Sequence, residues 1–166
     1  MWFHLKKGSD NMKNQKKGGI AAMISVLFGI VMLTVIFFNY IFMNLDMQRF
    51  GLIDQYTRDS LLVLETNTQV ERDFLMGVKS DLADKLVKNT SEYIKVYVTV
   101  NGTKYDADSM SATITPNFGS EIILSIQYHY IPQSITLTNG FAAVKGDRTL
   151  KVMGTNLRTV SLNRGS

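Results

Sequence analysis

The sequence predicts an α+β protein: a long N-terminal transmembrane helix continuing as an amphipathic helix, then a second helix packed on a small antiparallel β-sheet. Three observations carry this. Residues 20–43 form an uncharged apolar run, residues 70–88 repeat an apolar position every fourth residue, and residues 93–100 and 121–131 alternate with period two.

The apolar run, IAAMISVLFGIVMLTVIFFNYIFM, is interrupted only by Ser25, Thr34 and Asn39 as clearly polar residues. At about 1.5 Å per residue it reaches roughly 36 Å as a helix, slightly more than a bilayer core of about 30 Å. A cleavable secretory signal fits less well, because its apolar region is shorter and ends at a small-x-small site. This run ends in Asn44-Leu45-Asp46-Met47. A buried helix of a soluble core fits less well too, since the run is apolar on every side.

Charge orients the span. Residues 1–19 hold five lysines, Lys6, Lys7, Lys13, Lys16 and Lys17, against Asp10, whereas residues 46–166 hold 13 basic and 13 acidic residues. The whole net charge of +4 therefore precedes the helix. Positive charge beside a span is retained in the cytoplasm, so the tail is expected inside and the C-terminal domain outside, with Lys13, Lys16 and Lys17 as a cytoplasmic charge anchor. Charge placed this way speaks for a membrane and gives no reason to expect nucleic acid. With no cysteine, the exported domain has no disulfide framework and depends on ordinary packing. The expected organisation is a basic tail or leader over 1–19, disordered for lack of apolar pattern, a span over 20–43, an amphipathic extension over 44–68 and an extracytoplasmic domain over 69–166.

Within the span, Ala21, Ser25 and Gly29 recur every four residues. Such small-residue stripes let helix backbones approach closely in lipid, so these three form the expected helix-packing face. Asn39 is expected at the interface or hydrogen-bonded to a neighbouring helix.

Beyond the membrane, Leu45, Leu52, Tyr56 and Val63 keep to one helical line, and Asp54 and Arg58 make an acid-before-base pair at i, i+4. A break is expected at 65–69, where Thr68-x-x-Glu71 reads as a capping box. The second helix, 70–88, carries Val70, Phe74, Val78, Leu82 and Leu86 on one side and mixed charges, Lys79 among them, on the others. After Asn89 the period becomes two: Ile94, Val96, Val98 and Val100 alternate with Tyr93, Lys95, Tyr97 and Thr99. Asn101-Gly102 then suits a tight hairpin turn, because both central residues need positive φ. Further strands are expected at 103–105, 111–115, 121–131, 134–138 and 148–153. Asn139-Gly140 and Lys145-Gly146-Asp147 mark turns, and residues 156–166 show no pattern.

A search for chemistry finds no phosphate-binding loop, dinucleotide fingerprint or His-Glu-x-x-His motif, and the lack of cysteine removes thiol chemistry. His129 alternates with tyrosines on a strand, Asp81 and Asp84 read as a solvated helix face beside Lys85 and Lys88, and Asp106 and Asp108 sit in a turn where Asp bonds backbone. No catalytic, metal or cofactor-binding residue is expected, and the chain does not read as an enzyme.

A basic tail ending in Lys16-Lys17-Gly18-Gly19, an immediate apolar helix, its amphipathic continuation through Leu52 and Arg58, and a small α+β domain resemble a pilin-like protein. The likeness is nearest to TadE-like minor pilins and pseudopilins, and to the related small membrane proteins encoded with tight-adherence or conjugation machinery in Gram-positive bacteria. It covers the first 65 or so residues in pattern and the remainder in architecture. Type IV pilins commonly carry glutamate five residues after the processing glycine; here that place is Ile24 or Met23. The resemblance implies a structural subunit of an extracellular filament or its assembly complex, partnered through the apolar helix with other pilin-like subunits. It also implies Gly18 and Gly19 as a processing site for a prepilin peptidase. The alternative it allows is an anchored accessory of a secretion or conjugative-transfer apparatus.

Overall fold

The computed structural model describes residues 3–86, 91–138, 141–146 and 149–163. It is α+β. Helix α1 (Phe3–Thr66) is followed by α2 (Arg72–Leu86), a 3-10 turn (Ser91–Tyr93) and strands β1 (Ile94–Val100), β2 (Thr103–Asp106), β3 (Glu121–Tyr130), β4 (Gln133–Thr138), β5 (Phe141–Gly146) and β6 (Lys151–Val160). Four strands form an antiparallel sheet in the order β2-β1-β3-β6, and β4 pairs with β5 in a separate two-stranded sheet. The chain divides into two compact units, Met1–Phe42 with Gln133–Lys145, and Met43–Pro132 with Gly146–Ser166.

The helix begins at Phe3, within the stretch whose composition suggests a disordered tail. Residues 3–19 contain no proline, and a helix already nucleated extends through weak formers at little cost, because nucleation rather than propagation is the unfavourable step. At the other end α1 stops at Thr66, inside the expected break.

In the second unit one face of the sheet meets α1 and α2. β1 buries Ile94, Val96, Val98 and Val100, and β3 buries Ile122, Leu124, Ile126 and Tyr128, in the alternation the sequence shows. Ile53, Leu61 and Leu64 of α1 and Leu75, Val78 and Leu82 of α2 complete that core. The buried side of α1 is therefore displaced from the expected line of Leu45, Leu52, Tyr56 and Val63: Leu45 and Val63 are both 41% exposed. The displacement arises because two hydroxyl residues are buried. Thr57 donates to the Ile53 carbonyl at 2.6 Å and accepts from the Thr155 hydroxyl at 2.7 Å, so its polarity is satisfied inside, and Ser60 is buried beside it.

Helix α2 starts at Arg72, and the Thr68-x-x-Glu71 capping box does not form. Val70 instead exchanges two backbone hydrogen bonds with Ile114, at 2.7 and 3.0 Å, and Glu71 supplies the first helical carbonyl to Leu75. The same bridge is all that remains of the strand expected at 111–115. The Asn101-Gly102 turn forms as expected, with φ of 49° and 83°, and joins β1 to β2 with Val100 opposite Thr103. Asn139-Gly140 and Asp147 lie outside the described residues, while Lys145 and Gly146 continue β5.

The largest departure is β6. A closing strand was expected at 148–153, yet the pairing runs on to Val160 opposite Glu121. Its inward positions Met153, Thr155, Leu157 and Thr159 mix polar and apolar, which hides the period. Gly154 within it is required by close approach. A Cβ there would stand 2.5 Å from the Ile126 carbonyl oxygen and 3.1 Å from the Gln127 Cα.

Candidate functional site: the exposed apolar helix

Helix α1 contains one candidate membrane span, long and apolar enough to cross a bilayer, and no residue of its most apolar window is fully buried in the protein. Met23 is 74% exposed and Leu33 68%. So large an apolar surface marks contact with lipid or another protein. The polar residues within it are internally satisfied: Ser25 donates to the Ala21 carbonyl at 3.0 Å and Thr34 to that of Ile30 at 2.8 Å.

Ala21 and Ser25 are exposed and Gly29 is half-buried. A Cβ at Gly29 would meet nothing within 4 Å, nor would one at Gly19. Among the described residues, therefore, nothing requires glycine at position 29. Gly18 and Gly19 are helical, as are Lys13, Lys16 and Lys17.

Asn39 has a partner inside its own chain. Its amide nitrogen donates to the Ile135 carbonyl at 3.0 Å, and its amide oxygen accepts from the Ile135 N–H at 3.0 Å. The side chain thus acts as a single strand neighbour to β4, in the same unit. No local pattern announces this, since 96 residues separate the two.

In the second unit two lysines meet at Asp108. Lys79, expected on the polar side of α2, is buried and donates to one carboxylate oxygen at 2.5 Å, while Lys95 of β1 donates to the other at 2.8 Å. The two ammonium groups, Lys79 first, hold the Asp108 carboxyl below its ordinary value against the opposing effect of burial. The hydrogen bond that Lys95 donates to Asp108 in turn raises Lys95 above its ordinary value. Asp106 plays the expected turn role by accepting from the Asp108 N–H at 3.0 Å. Two lysines neutralising one carboxylate describe a structural tie between α2 and β1.

At the far end of β3, Tyr128 and Tyr130 stack at 5.7 Å with an 8° interplanar angle. Burial, and then the Asp46 carboxylate, push the Tyr130 phenol above its ordinary value. His129 is half-buried on the opposite face, and Asp81 and Asp84 are exposed on α2. Asp81 borders a shallow groove with Asp59, Tyr56, Ser60, Val63, Phe74 and Val78. Among the described residues no group of three or more His, Asp or Glu is placed to hold a metal ion. Comparison of the chain with protein families, curated proteins and solved structures gives no match.

Proposed function

We propose that this chain is a membrane-anchored, pilin-like structural subunit of an extracellular filament or of its assembly complex, with the apolar helix as its assembly element. The observation that carries the reading is the unburied apolar helix with Ala21, Ser25 and Gly29 open along one side. In lipid, helices gain little from hydrophobicity alone, so close backbone approach at small residues is what drives association. The C-terminal domain supplies outward contacts, and its side chains tie the fold together rather than assemble a reaction centre. Lys16 and Lys17 precede Gly18 and Gly19 at the cytoplasmic headgroups, where anionic lipid favours them. Cleavage at either glycine removes the whole basic excess and with it the charge that holds the helix inward.

Recovery of the protein with filaments sheared from cells, and an N-terminus at Gly19 or Ile20, support a processed subunit. The second reading, a retained accessory of a secretion or conjugative-transfer apparatus, is favoured by Ile24 or Met23 standing where pilins carry glutamate. It predicts recovery only in the membrane pellet with an intact tail. Gly29→Leu tests the packing face: crosslinking between copies falls while membrane insertion persists, because leucine itself inserts well. Equal crosslinking in variant and parent refutes the face.

A further inference from the structure

The β4–β5 hairpin and the outer half of the apolar helix belong to one unit, and Asn39 binds the backbone of β4 at two points. Val31, Val35, Asn39 and Phe42 fall on one side of the helix and are half-buried, while Leu33, Phe37 and Tyr40 on the other sides are 68%, 60% and 61% exposed. Residues 31–42 rise about 17 Å along a helix, and a strand of six residues, the length of β4, extends about 20 Å. The length of β4 matches that of the half-buried face.

A two-stranded sheet has open edges, and hydrocarbon offers no partner for unpaired backbone groups. Asn39 satisfies one N–H and one C=O of β4, both of Ile135. With the hairpin on the helix, residues 31–42 therefore lie outside the bilayer core. What remains between Lys17 and Val31 is residues 18–30, about 20 Å of helix, short of a core of about 30 Å.

From this we infer that the β4–β5 hairpin is a removable cover for the outer half of the apolar helix, and that docking of the hairpin and full insertion of the helix exclude one another. The covered state has Val31, Val35, Asn39 and Phe42 against the hairpin; the inserted state gives that face to lipid and leaves the hairpin in water. Asn39 is the polar contact exchanged between them. This rests on the reading of the helix as a membrane span.

Bilayer thickness tests it in the full-length chain, whose lack of cysteine allows single and paired labels. Spin labels at Phe38 and Thr136, both exposed beside the Asn39–Ile135 contact, report docking, and single labels at Val26 and Ile36 report depth. In vesicles of dioleoyl phosphatidylcholine the Ile36 label is in hydrocarbon and the pair is far apart. In thinner dilauroyl vesicles the pair closes, and Asn39→Leu abolishes that closure. A pair that stays close in thick bilayers with Ile36 in hydrocarbon overturns the inference, as does one that stays apart in both. A Val26 label outside hydrocarbon in either lipid overturns the span itself, a separate failure.

Discussion

Replacing Asp108 by asparagine keeps the shape of the side chain and removes its charge, which isolates the worth of the tie between α2 and β1. Lys79 is the sensitive partner, because its side chain is only 8% exposed, whereas those of Asp108 and Lys95 are 30% and 37% exposed. Lys95 can turn into water and contributes little. A charged hydrogen bond is worth about 1.5–3 kcal/mol, and the partial exposure of Asp108 places this one at the lower end. Asp108→Asn is therefore expected to cost about 2 kcal/mol, a fall in melting temperature of roughly 6–10 °C for a domain of this size, measured by circular dichroism of the full chain in detergent. Lys79→Met removes the buried charge together with its need for a partner and costs less, about 0–1 kcal/mol. The sign with pH follows from the depressed Asp108 value. Stability from this group is fully present above the unfolded carboxylate value of about 3.9 and is lost as pH falls through the folded one. Asp108→Asn lacks that acid-side loss. A Lys79→Met variant as damaged as Asp108→Asn would refute the argument that burial of the ammonium sets the cost.

Gly102→Val meets open space but must hold φ near 83°, so strain alone is expected to cost about 1–2 kcal/mol; an unchanged melting temperature counts against the turn. Gly154→Ala places a methyl against the Ile126 carbonyl and forces β6 off β3 at a cost of about 1–3 kcal/mol, visible as faster amide exchange along β6; unaltered exchange refutes the close approach. On topology, a cysteine replacing the exposed Thr103 is expected to react with an impermeant thiol reagent on intact cells, as the basic tail predicts. Labelling only after lysis reverses the orientation.

Local periodicity by itself determined the apolar helix, the existence of α2, strands β1 and β3 with their inward faces, and the Asn101-Gly102 turn. Each depends on neighbours in sequence: a period of 3.6 or 2 in apolar residues, or a dipeptide whose backbone preference is intrinsic. The spacing of Ala21, Ser25 and Gly29 is likewise a property of one helix. What only the tertiary structure decided are the places where polarity is satisfied at a distance. Thr57 enters the core because Thr155 meets its hydroxyl, and Lys79 is buried because Asp108 receives it. Asn39 finds Ile135 across nearly a hundred residues, and β6 extends to Val160 because β3 offers a full ladder to a strand whose own inward residues carry only a weak apolar pattern. A polar residue read alone belongs in water; its burial is favourable only when a particular partner completes its hydrogen bonds, and that partner is supplied by the fold.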